Sequence, residues 1–339
     1  MLEIKDIAGL SEPLKKLIEV IAEGVGGISR PFLIRRNADA KAYEIRTIAG
    51  AIVDSQKLLG PLKYEDGNVS VETSNIVQPV LPEATLDQRV VARMAYQEAK
   101  KQTNIEQITS YAAEELRDER DTTSEKPDSD WTTRFFRIAE DITTDHMQIL
   151  WGKVLAGEVK RPGSYSLRTL DLLKNITQQE AEMFARVGQV SFVSGDKAFL
   201  PNPDNGKYLE DRFGLMFTDF LLLREIDLLV ANDLEFSLQP VEQNIQEVFT
   251  CGNTCVVVKR TKGTPKQEMQ AIVFTEIGRQ LLQLVEKKPP DPDYIKKFAS
   301  VFRGEGVSVQ EALIVGWQED GIKCGDFHEI PTESDIKKE

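Results

Sequence analysis

Apolar residues recur at helical spacing along most of the chain. Ser11 can cap a first helix that carries Leu14, Leu17, Ile18 and Ile21 on one stripe. Gly24-Val25-Gly26-Gly27 interrupts it, and a second helix follows Pro31 with Ala38, Ala40, Ala42 and Ala49. Pro61 to Pro82 reads as a connector around a strand-like V-S-V. Thr85-x-x-Gln88 has the form of a capping box and opens a long helix from Leu86 to about Arg120, with an interior break expected near Thr103-Asn104. Trp131, Phe135, Ile138 and Ile142 then lie on one helical stripe, and Thr143 or Thr144 caps a helix bearing Met147, Leu150, Trp151, Val154 and Leu155.

The most informative stretch runs from Trp151 to Leu170. Its first helix stops at Pro162-Gly163 and a second opens behind Ser164 or Ser166. Proline disfavours helical geometry in the residue before it, and glycine frees the backbone just after. The stretch reads as a rigid helix–corner–helix joint, with Glu158 expected to pair with Lys160 or Arg161 across the corner.

Beyond the joint, Leu167, Leu170, Leu172 and Leu173 mark a short helix. Thr177-x-x-Glu180 caps another, and Leu215 to Val230 forms a third. The period then changes. Thr254–Lys259 and Gln270–Phe274 are strand-like, and Thr275 caps a closing helix. Three helices, a two-stranded wing and a closing helix give a winged-helix order. Asp291-Pro292 predicts a helix through Phe302, Ser308-x-x-Glu311 predicts another, and the chain turns polar from Pro331.

The expected fold is mainly α: helical N-terminal and central regions, then a winged-helix-like α+β segment with a small β-hairpin. The expected divisions are N-terminal helices at 1–60, a linker at 61–82 and a central helical region at 83–160 with an acidic linker near 118–130. A winged-helix-like domain at 161–290 and C-terminal helices with a loose tail at 291–339 complete them.

Composition narrows the chemistry. The 339 residues carry a net charge of -13, so the surface repels nucleic acid unless positive charge gathers locally. No apolar run approaches the roughly 20 residues that span a bilayer, and Met1 to Leu10 lacks the pattern of a secretory signal. Three cysteines suit a reducing cytoplasm rather than a disulfide framework. Cys251 and Cys255 are four apart, and Cys324 and His328 sit in a distant segment, so buried thiols are expected rather than a zinc site. With His146 and His328 the only histidines, neither in a nucleophile-like context, no catalytic triad is expected. Gly24-x-Gly26-Gly27 follows no strand and reads as a hinge, not a phosphate loop. Glu140, Asp141 and Asp145 beside His146 read as acids at a helix start. The expectation is therefore no catalytic residue, no cofactor and no metal.

For DNA the signals conflict. The third helix carries Asp219, Glu225 and Asp227 beside Arg224, which disfavours insertion into a major groove. The wing offers Lys259, Arg260, Lys262 and Lys266 as candidate phosphate contacts. Residues 11–51, with Arg30, Arg35, Arg36, Lys41 and Arg46, are the candidate for a membrane surface or an acidic partner.

Trp151 to Leu170, with Asp130-Trp131, Met147-Gln148 and Glu180-Ala181, resembles a bacterial family catalogued only as a domain of unknown function. Its hallmark is a tryptophan–glycine, leucine–alanine–glycine–glutamate and arginine–threonine–leucine run. Arg30-Pro31…Arg35-Arg36-x-Ala38-x-Ala40 and Thr275-x-x-Gly278-Arg279 are also similar to it. A looser likeness is to the abortive-infection alpha proteins, which implies a role in conflict with phage or mobile elements. The family implies no catalytic residues. The reading is a non-enzymatic cytoplasmic interaction or scaffold protein that oligomerises or binds a protein partner, with Trp151, Glu158, Arg161, Arg168 and Thr169 as an interaction or structural joint. The alternatives are a DNA-binding winged-helix regulator and a membrane-associating effector.

Overall fold

The structure is a computed structural model and describes residues 10–26, 62–65, 68–71, 85–119, 122–202, 204–302, 304–318 and 321–330. It divides into two compact units, Met1–Leu167 and Arg168–Glu339. The second helix expected after Pro31, its basic residues and the tail from Pro331 lie outside the described residues. So does most of the candidate membrane segment at 11–51.

In the first unit, α1 (Glu12–Val25) buries Leu17, Val20 and Ile21, and Gly26 ends it at φ 83°. Proline in its first turn suits the start, and Ser11 makes no side-chain cap there. A small antiparallel hairpin joins β1 (Leu62–Glu65) to β2 (Asn68–Val71). The long helix α2 (Leu86–Glu115) runs unbroken through Thr103-Asn104, where the Thr103 hydroxyl bonds back to the Ala99 carbonyl. Helix α3 (Ser129–Ala139) is capped by Asp128, whose carboxylate accepts from Trp131 N at 3.0 Å. Of its predicted stripe, Trp131, Phe135 and Ile138 are buried on the helix and Ile142 lies past its end, and Trp131 stacks on Phe135 with centroids 5.0 Å apart. Helix α4 (Asp145–Lys160) packs along α2. The acidic segment is tied down where it is described. Thr122 donates to the Val159 carbonyl, Lys16 to the Thr123 carbonyl, and Lys126 pairs with Glu19.

The second unit overturns the mainly-α expectation. Helices α5 (Leu167–Asn175) and α6 (Gln178–Gln189) form as patterned, α6 behind the predicted Thr177/Glu180 capping box. They are followed by β3 (Phe192–Ser194) and β4 (Lys197–Pro201), then α7 (Lys207–Phe213) and α8 (Phe217–Glu225). Five longer or equal strands come next: β5 (Leu234–Leu238), β6 (Ile245–Cys251), β7 (Thr254–Arg260), β8 (Gln267–Val273) and β9 (Val307–Gln318). Short α9 (Glu276–Leu281) and α10 (Pro292–Ala299) precede β9, and β10 (Gly321–Cys324) and β11 (His328–Glu329) return along it. The strands make one nine-stranded antiparallel sheet in the order β10-β9-β7-β6-β3-β4-β8-β5, with β11 also on β9. The molecule is α+β.

The winged-helix reading fails on pairing. The two strands taken as a wing are not neighbours: β7 lies between β6 and β9, while β8 lies between β4 and β5. The third helix is cut to Phe217–Glu225, because Leu229 bridges to Phe274 and Val230 N bonds the Val273 carbonyl. Ser308-x-x-Glu311 caps nothing. It lies inside β9, where β-branched residues pair with β7, and sheet pairing outweighs the local capping signal.

The sheet closes around rings. Phe298 of α10 lies 3.9 Å, centroid to centroid, from Phe192 and 5.2 Å from Phe249. Phe199 stacks on Phe236 at 4.4 Å, and Phe302 stacks on Phe249 at 5.9 Å. Each fully buried aromatic contributes roughly 1.5–3 kcal/mol by burial.

Candidate functional site

The hallmark segment is built from close approaches. Trp151 is completely buried and meets Phe135 at 5.3 Å. The following Gly152 lets α4 touch α2, since a Cβ there would lie 2.5 Å from Tyr111 Cβ and 3.1 Å from Ala112 N. One turn on, a Cβ at Gly157 would lie 2.9 Å from the Tyr165 ring. Small residues at these two sites let a helix backbone sit directly against its neighbours.

Glu158 is buried at 1% exposure, and its partners are backbone rather than basic side chains. Its carboxylate accepts from Gly163 N at 2.6 Å and from Tyr165 N at 3.0 Å. Pro162 and Gly163, the latter at φ 83°, turn the chain so that these N–H groups converge on one anion. The expected ion pair across the corner does not form: Lys160 pairs with Glu119 instead, and Arg161 is exposed. Burial raises the Glu158 carboxyl above its usual range, opposed by N–H donation from Gly163, Tyr165 and Ser164 and by the Lys16 charge. Lys16 is lowered by burial against the charges of Glu125 and Glu158. Burial also raises the Tyr165 hydroxyl, helped by the Glu158 charge.

Arg168 and Thr169 belong to the second unit. Arg168 is exposed, whereas Thr169 is fully buried and donates to Gln280 Oε1 at 2.5 Å. That bond ties α5 to the helix capped by Thr275, whose hydroxyl accepts from Gly278 N at 3.1 Å. Trp151 and Glu158 thus hold a local structure in the first unit and Thr169 holds one in the second, while Arg161 and Arg168 are exposed. The arrangement fixes backbone; it presents no nucleophile beside a base.

The candidate phosphate contacts are largely engaged. Arg260 is 2% exposed, forks onto the Glu247 carboxylate through Nε and Nη2, and donates from Nη1 to the Gln239 carbonyl at 2.7 Å. Lys266 sits between Glu235 at 2.8 Å and Glu268 at 2.6 Å. Lys259 is half-buried on β7, and Lys262 is exposed in the loop after it. Among the four only Lys262 offers an exposed cation without an acidic partner among the described residues.

Cys251 and Cys255 cannot share a metal. Cys251 pairs with Thr254 and Cys255 with Thr250, so the two side chains point to opposite faces of the β6–β7 hairpin. Among the described residues no three of His, Cys, Asp and Glu group as metal ligands, and no helix is long and apolar enough to cross a membrane.

Two features escaped sequence reasoning. Tyr165 as the lid of the Glu158 corner carries no local signal, because its partner Gly157 is known only once the chain turns. The alternation of Leu313, Val315 and Trp317 was visible as a strand signal but lost to the capping-box reading.

The chain belongs to the family described as "Protein of unknown function (DUF2806)", whose model matches residues 88–299 and so includes the hallmark segment. No curated protein matches the chain, and no solved structure matches it.

Proposed function

We propose that this protein is a non-enzymatic interaction or scaffold component that acts by contact with another protein or with a second copy of itself. One observation carries the reading. Leu313, Val315 and Trp317 stand at 55%, 57% and 57% exposure along β9, the strand next to the edge strand β10. Phe327, on the returning segment, is 45% exposed. Large apolar side chains grouped along one exposed strand are costly to leave in water and mark contact surfaces. The row lies beyond the family match, which ends at residue 299.

We place this role in the cytoplasm, where thiols stay reduced. The likeness to abortive-infection alpha proteins makes phage infection the setting to test first. Light scattering on the purified protein, with affinity capture from phage-infected and uninfected cells, tests the reading against Trp317→Glu. The expected result is self-association or a captured partner that the variant loses. A monomer that captures nothing under either condition overturns it.

A further inference from the structure

Strand register sorts the side chains around Trp317 by face. Val248 of β6 stands opposite Val257 of β7, while on β9 Ile314 stands opposite Cys324 and Trp317 opposite Ile322. Val257 also pairs with Gln310, four residues before Ile314, so all of these lie on one face. It is the face turned away from Phe249 and the α10 rings. The register shift leaves Val315 unpaired and thereby turns Trp317 to the side of Ile314. Cys255, Val257 and Ile314 form a buried cluster against which Ile322 and Cys324 pack. Val248 at 44% and Trp317 at 57% exposure carry that apolar band into water at its two ends.

The charge at the Trp317 end is acidic. Residues 310–330 hold five carboxylates, Glu311, Glu319, Asp320, Asp326 and Glu329, against the single Lys323. Glu329 shares the face of Trp317, since it pairs with Gln310, whose amide donates to it at 2.6 Å. Lys323 pairs with Gly316 and points to the opposite face, as does Glu311. Asp326 is exposed in the loop between β10 and β11 and has no ion-pair partner among the described residues. Lys259, half-buried two residues from Val257, is the cation at the other end of the band.

We infer that this face docks a cationic segment of another protein, with a lysine or arginine of the partner over the Trp317 ring and its apolar side chains along the band. The inference rests on the contact role proposed above and decides between its two kinds of partner. An exposed indole beside carboxylates suits a cation twice over, because the ring face attracts positive charge and the carboxylates neutralise it. Tryptophan and arginine are also the side chains most often found at the energetic centre of protein contacts. A second copy lacks that complement. It would set the same five carboxylates against five, in a pair whose chains each carry -13. Nucleic acid and anionic lipid meet the same repulsion. An uncharged apolar partner would cover the band but strip water from Asp326 and Glu329 with no counter-charge in return.

Two short dye-labelled peptides, one alternating lysine with leucine and its twin alternating glutamate with leucine, test the inference by fluorescence anisotropy on the full-length protein. The expected result is that the lysine peptide binds and the glutamate peptide does not. Affinity should fall at least about tenfold when sodium chloride rises from about 0.05 M to about 0.5 M. Trp317→Leu keeps apolar bulk but removes the ring face, and should weaken binding about fivefold. Asp326→Lys and Glu329→Lys should each weaken it by about as much. Glu225→Lys, exposed on α8, changes the net charge equally and should leave affinity within about twofold. Equal loss for Glu225→Lys and Asp326→Lys overturns the inference, because the preference would then reflect net charge alone. Equal binding of the two peptides, or binding of neither, overturns it as well. So does a dimer in light scattering that Trp317→Glu dissociates, and in that case the contact role stands with a second copy as the partner.

Discussion

The helical region between Leu86 and Tyr165 and the sheet region from Phe192 to Ile330 bury large rings by different means. In the first, the rings come from neighbouring turns: Trp131 and Phe135 are four apart, and Trp151 reaches Phe135 from the next helix. In the second, Phe192, Phe199 and Phe249 come from three strands and meet Phe298, which lies about a hundred positions from the first of them, and Phe236 of a fourth strand stacks on Phe199. Local contacts order a helical region as its turns form, whereas a sheet of this kind gains nothing until distant segments meet. The first region should tolerate loss of a distant contact; the second should fail as a whole.

The largest test of that contrast is Phe298→Ala. Removing a fully buried ring shared by several strands should cost about 3–5 kcal/mol. Hydrogen exchange should quicken across β3, β6 and β7 while Trp131 to Lys160 keeps its protection. Equal loosening of both regions would break the comparison. Next comes Glu158→Ala, which strips two backbone N–H groups of a buried anionic acceptor and should cost about 2–3 kcal/mol. The damage should appear in the helical region, read by fluorescence of Trp131 and Trp151 in a Trp317→Phe background. Glu158→Gln should recover part of it, because one oxygen still accepts. Gly152→Ala sharpens the same point at smaller size. A methyl group 2.5 Å from Tyr111 Cβ forces α4 off α2 and should cost about 1–3 kcal/mol in urea denaturation.

The smallest effect is electrostatic. Glu106, on α2, is 8% exposed, and burial raises its carboxyl, opposed by the hydrogen bond from Gln102 at 2.9 Å. A carboxyl whose folded pKa lies above its unfolded value keeps its proton in the native state while the unfolded chain has already lost it. Between the two values the native state binds more protons, so stability falls as pH rises through that window. Glu106→Gln should therefore gain on the wild type as pH rises above the ordinary carboxylate range, where the unfolded chain has lost its proton and the native state still holds it. Parallel stability–pH curves for the two proteins would exclude the assignment.

The same contrast explains what could be read from residues alone. The stripe Trp131–Phe135–Ile138, the Thr177/Glu180 box, the Thr275 cap and the Asp291-Pro292 start each complete their signal within one or two turns, and each stands in the structure where its spacing places it. The reading of β7 and β8 as one wing failed because strand-like sequence does not name its partner. β3 and β4, only three and five residues long, intervene between β6 and β8. At the joint, Pro162-Gly163 announced the turn, but the partners of Glu158 depended on where the turn pointed Gly163 N and Tyr165 N.

What the residues settled by themselves is therefore local: helix starts and stops, the apolar faces of α1, α3 and α6, and the hard corner after Lys160. These follow from backbone preference and short-range periodicity, whose ingredients lie within a few positions of one another. Tertiary structure alone decided that β7 and β8 are not neighbours, that Arg260 is buried against Glu247, and that Cys255 and Cys251 turn to opposite faces of the sheet. Each of those outcomes joins segments well apart in the chain or hangs on a face chosen by strand register, and a pleat that reverses every residue cannot be phased until its neighbours are in place.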